Sequence, residues 1–535
     1  MATDNAPKPR VPLAASVANR DGSTFVDARL INGYLEKGED KIVHAYRRPG
    51  VVLYQQLPAG PGRGVFNWHG DIYAVIGTKF YKNGVDTKVV LFDNGKKYEW
   101  TPILSLPRKL FFHNSLFAYI WDGFTLTPLV SGVVKSLTGD TTAGSPTILN
   151  IPSTTGLLGN SGVTSSVGIL PGSYITSVDS AHQVTLNAPA QNTFTALRLT
   201  FSTPGYPSEA LVPGLAYLDA TTYVMGRSAR IFGSSINDVS SIAWQSSNYL
   251  TAQIEPDDGV YLTKQLVYVV AFCEWSTEFF YDAGNAVGSP LAPVQGNKIS
   301  QGCRDAGTVT TLEGEIFWVS TTREGNVNVF HMAAARGVPI ATPSVEKLLQ
   351  NANFAGCYSF GFHISGHKYY VLTIPLSNLT LVYDLVSQEW YRWTGTDGNY
   401  WPYVDSTIGP GQQVILQHET NGGLYQISSS IHTDNGLVIP WDLYTGNWDG
   451  GARTTKILTR LDFIGDQIPG TIINTRVSDD DYKSWSQFRV VDMGKQRPNL
   501  RDCGSFRRRA WHFSNRTDTF LRIQAIELHV TPGTD

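Results

Sequence analysis

The sequence predicts an all-β fold: a β-propeller that carries a small inserted β domain and is followed by a C-terminal β-sandwich-like domain. Three observations predict it. A glycine turn followed by an aromatic residue and then Val or Ile recurs at fixed spacing. Charged residues make up only 16% of 535 positions, aromatics 12%, and 51 glycines stand against 28 prolines, a balance that favours short strands and turns over long charged helices. Helical signals are scarce. The clearest is "ATPSVEKLLQN", where Thr342 fits an N-cap, Pro343 the first helical position, and Leu348 and Leu349 the buried side.

The recurring unit begins in "NWHGDIYAVIGTKFYKNG", as Gly70-x-x-Tyr73-x-Val75. It returns as Gly314-x-x-Phe317-x-Val319, Gly366-x-x-Tyr369-x-Val371 and Gly422-x-x-Tyr425-x-Ile427, with looser echoes at Phe117/Tyr119 and Gly214/Tyr217. The glycine supplies a positive-φ turn position without steric cost. Residues three and five beyond it share one face of a strand, because side chains alternate with period two. An aromatic followed by Val or Ile on that face is a core-facing pair. The starts at Gly314, Gly366 and Gly422 are 52 and 56 residues apart, close to the ~40–50 residues of a four-stranded propeller blade. Unrelated hairpins in a sandwich are the competing arrangement; the even spacing favours the propeller. Spacing does not fix the number of blades, and six serves as the working number.

Two segments leave this rhythm. Residues 136–202 are rich in Ser and Thr and nearly uncharged, with short alternating runs such as "SYITSV" and "HQVTLN"; they read as a compact β insertion on a propeller loop, a place that usually serves contacts. From about Gly446 the runs "TKILTRLDFIG", "GTIINTRVS", "RRRAWHFS" and "FLRIQAIELHV" suggest a separate sandwich. The expected division is an extended N-terminal segment 1–45, propeller over 46–135 and 203–445, insertion 136–202, and C-terminal β domain 446–535.

A formal charge of −3 gives no global basic field for tight nucleic-acid binding. Cys273, Cys303, Cys357 and Cys503 are far apart and lack zinc or thioredoxin spacing, so they read as free thiols. The N-terminus has no apolar signal region, and the longest apolar run, "LVYVVAF", is far short of the ~20 residues of a membrane span. A soluble, non-secreted protein without a membrane anchor is expected.

Chemistry-bearing motifs are weak. His363 and His367 have zinc-helix spacing but fall at a turn entering a strand. Glu274 and Glu278, four apart along a strand, would sit ~13 Å from one another, wide for a glycosidase pair. "SDDDYKSW" resembles the Asp box of sialidase-type propellers, with Asp480 bonding turn amides, Trp485 plugging the base, and Tyr482 where the box has glycine; calcium binding by Asp479–Asp481 is disfavoured because consecutive strand positions point to opposite faces. Arg507, Arg508 and Arg509 are a candidate phosphate or interface contact, set against pairing with that acidic triplet. No catalytic residue, cofactor or metal site is expected.

Taken in order along the chain, several stretches resemble one family. They are "RDG…INGYLE", the "RPG" turn at Arg48–Gly50, "GRG" at Gly62–Gly64, "GLAYLDATTYVM…ARIFGSSINDVSSIAW", "STEFFYDAGN…QGNKISQGC" and "SDDDYKSWSQFR…RRRAWHF". Together they resemble the tail hub, or nozzle, of short-tailed bacteriophages, the packaged-DNA stabilisation protein. The resemblance implies a β-propeller virion protein of the tail, assembled in the host cytoplasm into a homo-oligomeric ring, usually a hexamer. That ring would lie below the portal and head-to-tail adaptor, close the filled capsid, extend the conduit for double-stranded DNA, and anchor a tail needle, fibres or spikes. It implies no enzyme activity. The competing function is a glycan-binding or glycan-cleaving propeller, suggested by the Asp-box likeness and by Trp68, Trp121 and Trp401 read as exposed aromatics.

Overall fold

The computed structural model describes residues 8–13, 17–19, 26–38, 43–159, 161–245, 248–285 and 288–533. Among the described residues, seven antiparallel sheets of the blade type follow one another around a ring, one more than the working number of six. Six are contiguous in sequence, over 62–90, 99–128, 216–251, 259–299, 302–339 and 358–392. The seventh takes Tyr403–Ile408, Val414–His418 and Gly423–Ser428 and receives its outer strand, Gly50–Gln56, from the start of the chain, with Gly423 opposite Gln56 and Ser428 opposite Gly50. Spacing alone did not reveal this closure, because it joins segments more than 360 residues apart. The first strands of neighbouring blades meet at the hub, and Gly62–Trp68 of the first blade packs on Tyr403–Ile408 of the seventh, which closes the ring.

The cores lie between blades. Trp68, Tyr73, Val75 and Phe80 of the first blade interleave with Leu110, Phe112, Tyr119 and Trp121 of the second; Phe317 and Val319 of the fifth meet Tyr370, Leu372 and Leu381 of the sixth. Full burial of each such side chain is worth about 1.5–3 kcal/mol. Trp68, Trp121 and Trp401 therefore correct their reading as surface aromatics: they are buried, with 8%, 2% and 0% exposure. Large aromatics are what fill the wedge between two twisted sheets, and a sequence does not show which strand faces supply it.

The glycines of the repeat do occupy positive-φ turns. His69–Gly70, Glu313–Gly314 and Ser365–Gly366 each have both residues at positive φ, the requirement of a type I′ hairpin, and each opens the second strand of its blade. Tyr73/Val75, Phe317/Val319 and Tyr369/Val371 face the following blade. The fourth copy differs: Gly422 opens the third strand of the seventh blade, and Tyr425 and Ile427 face back toward the sixth. Here the pattern marks a hairpin entry, not a blade period.

Residues 134–202 form two three-stranded sheets around a core of their own, including Ile148, Val163, Ile175, Val184 and Phe201. Their stem is tight: Val133 O accepts from both the amide and the hydroxyl of Thr203, and the Val133 amide donates to Thr203 Oγ1. The C-terminal strands build a sandwich. One sheet pairs Trp441–Tyr444, Ala510–Asn515, Ile472–Ser478 and Arg489–Asp492; the other pairs Lys456–Gly465 with Arg522–Pro532. Strands from the N-terminal segment complete both. Val26–Ile31 lies beside Trp441–Tyr444, while Gly33–Lys37 and Val43–Arg47 add to the second sheet. Ile31 also bridges to Arg392 at the edge of the sixth blade, so one sheet runs from propeller into sandwich. The helix forms at Pro343–Gln350, with Thr342 Oγ1 accepting from the Val345 amide and Val345 and Leu349 buried.

The junction of these parts is a buried arginine. Arg48 Nη1 and Nη2 reach Asp434 at 3.0 and 2.5 Å, Nε donates to Asn32 Oδ1, and further donors meet the carbonyls of Pro49 and Thr394. Its guanidinium lies 5.8 Å from the Trp393 ring and 5.3 Å from that of Trp401. Asn32 completes the network by donating to Thr394 Oγ1 and accepting from the Thr394 amide. The "RPG" turn is thus the point where the N-terminal segment, the sixth and seventh blades, and the sandwich are tied together.

Candidate functional site

A cavity of about 750 Å³ opens at the propeller axis. The lining residues come from the starts of first strands, from turns between second and third strands and, in the fifth blade, from the stretch 304–309 that follows Gly302–Cys303, so the cavity belongs to one face of the ring. The wall is polar and charge-balanced: Arg63, Lys96, Lys97, Arg227 and Arg304 stand among Glu99, Asp258, Glu274, Asp305 and Glu419. Most of these charges hold one another or the backbone. Arg63 pairs with Asp93 at 2.6 Å and Arg227 with Asp258 at 3.2 Å, while Glu419 accepts from the Tyr400 hydroxyl and Asp305 from the Gly307 amide and the Cys357 thiol.

At one wall Lys97 Nζ sits 2.8 Å from Asp405 Oδ1, whose other oxygen accepts from the Val65 amide, so the second, seventh and first blades are joined. Burial pushes the Glu99 carboxyl up; Lys97 opposes this and Asp405 adds to it. Burial pulls the Lys97 ammonium down, but Asp405 and Glu99 outweigh it and leave it raised. These groups stabilise the ring closure, and the pattern offers no nucleophile with an adjoining base. Burial pushes the Cys303 thiol up to about 12 and the Cys357 thiol further; all four cysteines are free.

The motifs singled out in the sequence resolve as follows. Arg509 forms a two-point pair with Asp479, 2.7 Å at both contacts, stacks 4.3 Å from the Phe506 ring and donates to Cys503 O. Arg508 pairs with Asp481, and Arg507 Nε approaches Thr455 Oγ1. The acidic triplet thus occupies Arg508 and Arg509. Asp480 accepts from the Ser484 hydroxyl and amide and from Ser478, which holds its carboxyl down at about 2. Tyr482 takes φ 66° in place of the Asp-box glycine, after Asp481 at 61°, and is held there by its hydroxyl bond to Thr445 O.

His367 is buried on Asp384 at 2.7 Å, while His363 pairs with Glu313 in the hairpin turn of the fifth blade. Glu274 and Glu278 do not share a strand, because Tyr268–Cys273 ends and Thr277–Asp282 begins between them; Glu278 is buried and caps the Ile254 amide. Among the described residues no group of three or more His, Cys, Asp or Glu is arranged to hold a metal ion.

A family model described as "Bacteriophage P22 Gp10, beta-propeller" matches residues 157–431. The chain belongs to this family. The Gp10-family match spans the third to sixth blades, the seventh except for its outer strand Gly50–Gln56, and most of the insertion, leaving the first two blades and the sandwich outside it. No curated protein matches the chain. Among solved structures, a computationally designed protein, Ika8, is 8% identical with a TM-score of 0.34, covering 71% of this chain and 99% of its own. BamB from Moraxella catarrhalis is 10% identical, with a TM-score of 0.31 over 72% and 99%. Raptor from Chaetomium thermophilum is 9% identical, with a TM-score of 0.32 over 72% and 29%.

Proposed function

We propose that this Gp10-family propeller is a structural protein of the virion, a tail-hub ring that attaches below the head-to-tail adaptor, closes the DNA-filled capsid and carries the needle, fibres or spikes. The family match carries this reading. The axial cavity supports one feature of it. At about 750 Å³ it is too small for a duplex whose major groove alone is about 12 Å wide, so a DNA conduit would form between copies and not through one propeller. A scaffold role also suits a wall whose carboxylates are largely bonded to neighbours, and buried tryptophans do not favour a sugar-stacking surface. Electron microscopy of the purified chain and of virions tests the proposal. Closed rings, or density for the chain in the tail, are expected; monomers alone with no place in any tail would refute it.

A further inference from the structure

The outer face of the propeller-to-sandwich sheet carries a row of side chains that the sequence keeps apart. Register places Arg29 opposite Tyr444, Tyr444 opposite His512, and His512 opposite Arg476. The row is built by stacking. Arg29 lies 4.2 Å over the Tyr444 ring, Tyr444 stacks on His512 at 3.9 Å, and Arg476 is held between Trp485 and Phe488 at 5.1 and 4.7 Å. Arg392 stands one strand further, beside Ile31. His512 donates from Nε2 to Asp442 and accepts at Nδ1 from Arg476 Nε, which leaves it neutral. Asp442 also binds Arg516 with both oxygens. Asp492, at the far edge, caps the Gly494 amide.

Among the described residues, then, Arg29, Arg392 and Arg476 are half-exposed and pair with no carboxylate; Arg392 Nη2 donates to Asn378 O at 3.4 Å, and the terminal nitrogens of Arg29 and Arg476 make no hydrogen bond. Arg29 and Arg476 are three strand spacings apart, about 14 Å. Guanidinium groups held flat on rings present their edges as fixed forks, the geometry suited to phosphate oxygens.

We propose that this face binds the phosphodiester backbone of double-stranded DNA, with Arg29, Arg392 and Arg476 as the donors. It extends the hub reading by assigning a DNA-contacting surface. The rings are already covered by this chain's own arginines, so bases cannot stack on them and contact is limited to phosphate, without sequence preference. A chain of net charge −3 repels DNA at long range, so binding is local, weak and strongly salt-dependent, as suits a polymer in transit.

Fluorescence anisotropy of a labelled 30-base-pair duplex, titrated with the purified full chain from 25 to 200 mM NaCl, tests this. Three phosphate contacts give a slope of log K against log salt of about −2.7, and each single change to Gln at Arg29, Arg392 or Arg476 lowers its magnitude by about 0.9. Arg227→Gln, in the wall of the axial cavity, leaves it unchanged. Circular dichroism confirms folding of each single variant, so the result does not depend on a triple variant surviving. No binding at 25 mM NaCl, slopes unmoved by the three changes, or polyglutamate displacing the duplex at equal charge would overturn the proposal. Imaging the same samples separates the two readings: rings that ignore DNA refute only this inference, and monomers that bind it refute only the hub.

Discussion

Replacing Arg48 by Met removes the cation at the junction of propeller and sandwich while keeping a similar length of side chain. Arg48 has no exposed side-chain surface and Asp434 only 11%, so the change strands a carboxylate that has lost both contacts of its partner. Three more acceptors, Asn32 Oδ1 and the carbonyls of Pro49 and Thr394, lose a donor as well. Breaking a buried pair from one side costs about 3–5 kcal/mol, most of it from the uncompensated charge. Asp434→Asn, which leaves the guanidinium buried against a neutral amide, costs somewhat less. The double variant is expected to fall short of the sum of the singles by ~1–3 kcal/mol, the usual coupling of groups in one network. Urea titration followed by tryptophan emission is a suitable assay, since Trp393 and Trp401 flank the guanidinium and report on this junction directly. A loss under about 1 kcal/mol for Arg48→Met, or strict additivity in the double variant, would show that the network contributes little and that the reasoning is wrong.

Three further outcomes are expected. Gly314→Ala and Gly422→Ala both force a Cβ into positive φ, costing about 1–2 kcal/mol, but only at Gly422 does the new atom meet backbone, 2.2 Å from Pro58 O; thermal melts should show Gly422→Ala losing a further ~1–3 kcal/mol, and equal melts would refute the closure geometry. His113 donates from Nε2 to Gly214 O between the second and third blades, and burial lowers its folded pKa to about 4. The unfolded chain takes up that proton first, so its contribution is full above pH 6.5 and is lost as pH falls toward 4, at about 1.4 kcal/mol per pH unit; His113→Gln should flatten the stability profile across that window by one proton. Replacing residues 134–202 by a short Gly-Ser link should leave a folded propeller, because Val133 and Thr203 already touch and the excised part has its own core; aggregation of that variant would show the insertion to be integral.

Local chemistry was legible in the sequence and long-range register was not. Gly70, Gly314 and Gly366 announced hairpins because only a glycine-like turn follows His69, Glu313 and Ser365 there, and Thr342–Pro343 announced the helix. The seventh blade stayed hidden because its outer strand is donated from Gly50–Gln56. Gly422 entered the count for the same reason: a motif six residues long cannot say whether it opens a second or a third strand. The pairing of Arg508 and Arg509 with Asp481 and Asp479 was open to inspection as opposite charges nearby in sequence. The Arg29–Tyr444–His512–Arg476 row was not, since each member looks like an ordinary alternating polar position until strands over 400 residues apart are aligned.

The order in which the ribosome delivers the chain bears on the strand that closes the ring. Gly50–Gln56 emerges early, but its partner Gly423–Ser428 follows more than 360 residues later, roughly 20–70 s at ordinary synthesis rates. During that interval a ribbon containing Val52, Leu53 and Tyr54, still about 40% exposed when folded, waits with both hydrogen-bonding edges open, the condition under which nascent chains pair with the wrong neighbour. Yield in the host should therefore depend on how fast translation reaches the last blade and on what shields that early ribbon meanwhile.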